Sequence, residues 1–489
     1  MKIFWNLILI FFLLAFTLSC NESKKEIIYI GDEPSIKKHI SQSDIELGLI
    51  SIEDVVTHGK ELFTARFNSL DGFGRPLSAG DRTRRKNKKI FPENFNRISG
   101  PESQACSDCH NMPIAGGGGS NVTNVFSSAE KSPFLDFDTE SLESDIKISD
   151  IGNERNTIGM FGSGLVELLA REMTKDLIAQ RATAEALSIK EDRNVRILLT
   201  TKGVNFGHLT ARPNGTIDTS EIEGVDRDLV IKPFTQKGVV VSLRVFTNNA
   251  MNHHHGMQSS ERFLDREDVH KGMDLLSDMS DYDGDGVENE LSSGDITAVT
   301  LFQATLEMPG RVMPGSKQEK EAVKNGEVLF SNIGCNSCHV ENLPLKSLEF
   351  TDPSPFNPKN HLSPEDTNGI KVNLEKFFPN LERDSDGNYL IPLFSDLKRH
   401  NMGSKLDNEK VKQLSSRGKI DTNQWMTRKL WGFASEPPFL HHGRATLISE
   451  AIIMHGGDAE ESKEKYKELS ALEQASIVEY LKTFQIVNK

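Results

Sequence analysis

Two stretches carry the residues best suited to chemistry: Cys335-Asn336-Ser337-Cys338-His339 and its echo, Cys106-Ser107-Asp108-Cys109-His110. Two thiols three positions apart can each add across one vinyl group of a haem. The His that follows is then placed to ligate the iron from one face, which is the c-type attachment pattern. Zinc ribbons also pair CxxC motifs, but with ~15–20 residues between the pairs, whereas these lie in opposite halves of a 489-residue chain. A thioredoxin-like dithiol has no use for the His, and a disulfide scaffold belongs to a short chain. Two covalently attached haem c groups are therefore expected, held by Cys106, Cys109, Cys335 and Cys338, with His110 and His339 on the irons.

Other residues bear on what such irons would do. Asn252-His253-His254-His255-Gly256-Met257-Gln258 is followed by Glu261-Arg262-Phe263. Three adjacent histidines can supply a distal iron ligand, with His254 as the candidate, or an acid–base group; the alternative is a surface cluster. Gln258 can orient a bound peroxide and Glu261 can move its proton, against which stands a helix start with a polar face. Asp281, Asp283 and Asp285, with Gly286 after them, match the front of a calcium loop. The Glu expected at its twelfth position is Ser292, so Ca²⁺ binding and a plain acidic turn stand side by side. His400-Asn401-Met402-Gly403 offers a thioether between polar residues, and Met opposite His raises a haem's potential. His400 is the local rival for that position, and a Met is more often core than ligand.

The chain opens with Met1-Lys2 and an apolar run from Ile3 to Leu18, ending Ser19-Cys20. That describes an export signal too short to span a membrane. Of five cysteines, only Cys20 lies outside the motifs. Its position suits a lipobox, with Thr17 where Leu is preferred. The expectation is a periplasmic or cell-surface lipoprotein anchored to the membrane through Cys20; ordinary secretion with a free thiol is the alternative. A formal charge of −14 argues against nucleic acid as a partner. One basic run, Arg82, Arg84, Arg85, Lys86, Lys88 and Lys89, is either a solvated loop or a dock for an acidic redox partner.

The positioning elements follow from pattern. Residues 1–19 are the signal and 20–50 a polar tether. A helix from Ile52 to Phe67 ends at Asp71-Gly72-Phe73-Gly74. Gly116 to Gly119 lack the Lys of a phosphate loop and suit backbone lying close over a flat macrocycle. Residues 164–187 read as a helix. Arg196 to Thr200 and Val239 to Phe246 read as strands, with a hairpin at Pro213-Asn214-Gly215. Helices are expected at 320–330 and 463–484, and no repeat is seen beyond the two cysteine motifs. The fold class is mainly α: two cytochrome c-like haem domains, 51–312 with long insertions including a small β-hairpin, and 313–489, divided near Pro309-Gly310 and Pro314-Gly315.

Together with the two CxxCH motifs, several blocks resemble the bacterial di-haem oxidoreductases, relatives of di-haem cytochrome c peroxidases. They are Gly164-Leu165-Val166-Glu167, the His400 to Gly403 loop, Phe439-Leu440-His441-His442-Gly443-Arg444-Ala445, and Glu450 to Ala459. The resemblance covers most of residues 55–487. It implies a His339/Met402 haem where electrons enter, from a small donor such as a cytochrome or cupredoxin. It further implies a His110 haem that meets peroxide or a small oxidisable substrate. A non-catalytic periplasmic electron-transfer lipoprotein is the alternative, and a redox-sensing role a third.

Overall fold

Several helix starts in this chain are marked by serines. The computed structural model describes residues 31–73, 103–120, 122–124, 154–257, 259–263, 287, 290–358, 361–407, 409, 412–415 and 418–487. Met1–Pro34 and Ser35–Lys489 form separate units. Ser41 and Ser51 cap α1 (Gln42–Glu46) and α2 (Ile52–Thr64), each side chain accepting the backbone N–H three residues on, a donor otherwise left unpaired at a helix start. The first cysteine motif is itself one turn, α3 (Cys106–Cys109). The long α4 (Ser163–Glu191) buries Leu165, Leu169, Met173 and Leu177 in the main core. Then come α5 (Leu243–Ala250), a π-helical turn at Met251–His255, α6 (Ser260–Phe263) and α7 (Ser293–Thr305). The second half carries α8 (Lys317–Asn332), α9 (Ile448–Met454), α10 (Glu460–Glu468) and α11 (Ala471–Lys482). None of the described helices is long and apolar enough to cross a membrane.

Sheets are small. β1 (Val122–Asn124) pairs with β2 (Glu154–Asn156). β3 (Val195–Thr201), β4 (Val204–Ala211) and β5 (Ile217–Asp218) form an antiparallel sheet, with the turn around Gly215 where the hairpin is expected. The remaining sheets among the described residues are two-stranded ribbons.

Four expectations need correction. Val239 to Phe246 is not a strand: the Ser242 hydroxyl accepts from Val245 N–H and the Glu167 carboxylate from Leu243 N–H, so two acceptors start α5 there in spite of its β-branched residues. Residues 35–50 are not a tether, because Ile36, Ile40 and Ile45 are buried and Asp71 accepts from the N–H groups of Ser35 and Ile36. The C-terminal helix is two, α10 and α11, since Ser470 starts a new capping box with Glu473. Finally, the halves share a core. One cluster joins Leu165 and Leu169 to Leu343, Phe350 and Ile391, and Gly310–Arg311, at the expected boundary, pairs with Phe484–Gln485.

Candidate functional site

Both cysteine motifs sit on the same scaffold. Before the first, α2 crosses α7 where a Cβ on Gly59 would overlap the Ala298 carbonyl oxygen; before the second, α8 crosses α11 where a Cβ on Gly326 would overlap that of Ser476. Four residues on, Phe63 meets Phe302 at 5.2 Å between centroids, and Phe330 meets Tyr480 at 5.5 Å. These rings then lean on the motif histidines: Phe63–His110 at 6.3 Å and 51°, Phe330–His339 at 6.3 Å and 50°. A repeat therefore exists beyond the CxxCH motifs. Its sequence trace is Gly59-Lys60-Glu61-Leu62-Phe63 and Gly326-Glu327-Val328-Leu329-Phe330.

The two histidines are held alike. His110 Nδ1 faces the Gly117 carbonyl at 3.3 Å, and His339 Nδ1 faces that of Phe394 at 3.1 Å. A carbonyl can only accept, so Nδ1 carries the proton and Nε2 keeps the lone pair that binds a metal. Burial lowers both to a pKa of about 4, which keeps them neutral. The four motif cysteines form no disulfide, and burial pushes the Cys106 and Cys335 thiols up to about 12, unlike a reactive dithiol. Neutral imidazoles, thiols outside any disulfide and apolar walls fit haem c.

At the second site a cavity, partly open to solvent, lies beside the cysteine motif. His339, Met402, His400, His441 and His455 all line it. Met402 follows strand Arg399–Asn401 and is tied by its N–H to the Asn423 carbonyl. His400 does not suit ligation: burial works against its charge, but its 2.7 Å contact with Asp396 and one with Cys338 raise its pKa to about 10. His455, not singled out in the sequence as a ligand, has Nδ1 on the Ala451 carbonyl at 2.8 Å and is kept neutral by burial. His441 stacks on Trp425 at 3.5 Å.

At the first site Phe63, Phe67, Met160, Met251, Met257 and Phe302 form the apolar wall. Of the three adjacent histidines, His255 reaches furthest in: its Nε2 lies 3.4 Å from Cys106 Sγ and its Nδ1 2.6 Å from the Ser103 carbonyl. His254 is half-buried and its charge would be felt at His110, whereas His253 is exposed. Glu261 does not match a peroxide acid–base. Arg244 donates to both its oxygens at 2.8–3.1 Å, and Asn248 donates as well. Arg244 also reaches Asp352 and Thr297, so Glu261 belongs to a buried structural network. Gly116 to Gly119 have a use apart from any macrocycle: Cβ atoms on Gly117 and Gly119 would overlap the carbonyl oxygens of Met112 and Cys109, so the run folds back on the motif. Gln258, Asp281, Asp283, Asp285, Cys20 and the basic run at 82–89 lie outside the described residues.

Residues 385–484 match the family model described as "Di-haem oxidoreductase, putative peroxidase". Among solved structures, a hydrazine synthase of Kuenenia stuttgartiensis pressurised with 20 bar xenon aligns over 95% of this chain and 98% of that one. Its identity is 13% and its TM-score 0.35, too low to carry an argument. No curated protein matches the chain in sequence.

Proposed function

We propose, starting from the di-haem oxidoreductase match over residues 385–484, that the chain is an exported, peroxidase-like enzyme with two covalent haem c groups. It takes electrons from a small redox donor at the His339 site and uses them at the His110 site. The supporting observation is the duplicated scaffold, in which each CxxCH histidine donates Nδ1–H to a backbone carbonyl beside a Gly-x-x-x-Phe helix.

When bound, haem supplies one-electron iron chemistry and, where a sixth position opens, cleavage of a peroxide bond. The protein's part is in placement. Cys106, Cys109, Cys335 and Cys338 would hold the rings, and His110 and His339 would bind the irons. Met402 and His455 line the cavity of His339 and could supply a second iron ligand there. Near Cys106, His254 and His255 are the groups able to hold a proton or cap the site, with Gln258 following them in sequence. Ca²⁺ at Asp281, Asp283 and Asp285 belongs to this reading, as does a lipid anchor at Cys20.

One observation favours a non-catalytic electron carrier: buried His255, lodged against Cys106, would serve to keep the first site closed. A pyridine haemochrome assay should find two haems per chain, with Cys106→Ala and Cys335→Ala each losing one. Cyanide or peroxide should then bind the mixed-valence protein. Two haems that refuse both ligands in every redox state would identify the carrier; one haem or none would overturn the architecture.

A further inference from the structure

A single buried carboxylate touches both sites. Glu436 is 5% exposed, and its Oε1 accepts the Gly118 N–H at 3.0 Å while its Oε2 accepts from Arg428 at 3.2 Å. Both Glu436 and Arg428 line the cavity of His339. The Gly118 N–H and the Gly117 carbonyl belong to one peptide unit, and that carbonyl is the one facing His110 Nδ1. Room for the carboxylate comes from two glycines: a Cβ on Gly159 would overlap Oε1, and one on Gly118 would lie 2.9 Å from the Glu436 Cβ. Lys429 closes the same region, donating to the carbonyls of Gly159 at 2.6 Å and Phe161 at 3.3 Å.

We infer that Glu436 is a positioning residue that couples the two haem sites through the Gly117–Gly118 peptide. A carboxylate accepting from a peptide N–H draws that unit toward its charge-separated form, so the carbonyl at the other end becomes a stronger acceptor. A stronger acceptor on Nδ1–H makes the imidazole a more basic ligand, and such outer partners tune a metal's properties. Glu436 therefore holds the first haem's potential down. Arg428 draws on the same carboxylate from the wall of the second cavity, which gives a change of charge there a path to His110. Both partners of Glu436 are donors, so both its oxygens act as acceptors. This inference rests on the di-haem reading above.

The test is spectroelectrochemical titration of the full-length holoprotein, after a haemochrome assay has found two haems in the wild type; fewer would defeat the di-haem reading instead. Glu436→Gln should raise the midpoint potential of the His110 haem more than that of the His339 haem, with both haems retained. Glu436→Asp keeps the charge beside Arg428 but withdraws it from Gly118. It should raise the His110 haem potential and leave the other where it was. If both potentials move together in Glu436→Gln while Glu436→Asp behaves as wild type, only through-space charge is acting and the coupling is overturned. Should Glu436→Gln lose haem, Glu436→Asp alone decides: an unchanged His110 haem sinks the proposal.

Discussion

A histidine ring has two nitrogens, and in this chain the partner of one assigns the other. His110, His339 and His455 each set Nδ1 against a backbone carbonyl, while His400 is spent on Asp396. The sequence points to Met402 opposite His339, because a Met followed by Gly between polar residues stands out as a pattern. His455 does not stand out, since its preparation comes from the end of α9, where the Ala451 carbonyl four residues back is left over by the helix. We expect His455 to take the sixth position. The ferric protein should then lack a sulfur charge-transfer band, and His455→Ala, not Met402→Ala, should change the spectrum of the second haem. A sulfur band abolished by Met402→Ala would return the position to Met402. The cysteines and their adjacent histidines were legible as candidates because the c-type attachment pattern fixes both type and spacing. The distal residues were not, because nothing local dictates which of His253, His254 and His255 turns inward.

Among elements, the helices that precede each motif were readable from their apolar spacing, but their crossings were not. Gly59 and Phe63 repeat as Gly326 and Phe330, yet the partner residues Ala298 and Phe302 answer to Ser476 and Tyr480, which share no identity. A contact preserved in shape while one side's residues change leaves only the short Gly-x-x-x-Phe repeat to read. Gly326→Ala should lower stability by about 1–3 kcal/mol, the usual cost of overpacking, in spite of a gain in helix propensity of up to about 1 kcal/mol. Urea unfolding measures this, and haem loss should be confined to the second site. The Arg244 network is the other tie between elements, joining α5 to α6, α7 and strand Glu349–Asp352. Arg244→Met strands two buried carboxylates and should cost about 3–5 kcal/mol. Glu261→Gln should weaken the fold and leave the reaction with peroxide at its wild-type rate; a drop of ~10²–10⁴ in stopped flow would reinstate Glu261 as an acid–base group.

For the whole molecule, the first residues of the Ser35–Lys489 unit are fastened electrostatically. Asp295, fully buried, meets His39 at 2.6 Å and His58 at 2.9 Å. Burial opposes its charge, but these histidines hold its pKa well below the carboxylate range, while the Asp295 hydrogen bond raises that of His39. The depressed acid contributes stability above its unfolded pKa that is lost only as pH falls through its lowered folded value. The raised histidine contributes fully below its ordinary value of about 6.5 and loses that contribution as pH rises through the folded one. Amide exchange over residues 35–50, corrected for intrinsic rates, should therefore be slowest in mildly acidic solution and quicken as the solution turns alkaline. Asp295→Asn should speed it throughout. An exchange rate indifferent to pH and to Asp295→Asn would show that Ile36, Ile40 and Ile45 do the fastening alone.

The reach of Glu436 back to Gly118 also sets an order of assembly. Cys106, Cys109 and His110 are made early in synthesis, but the carboxylate that completes the peptide behind His110 is made when most of the chain already exists. Asn156, whose side chain donates to the Pro438 carbonyl at 2.6 Å, waits for the same late segment. On the di-haem reading, a haem attached at the first motif before the late segment docks would meet a loop not yet braced, and the site nearest the start of the chain would be among the last to be finished.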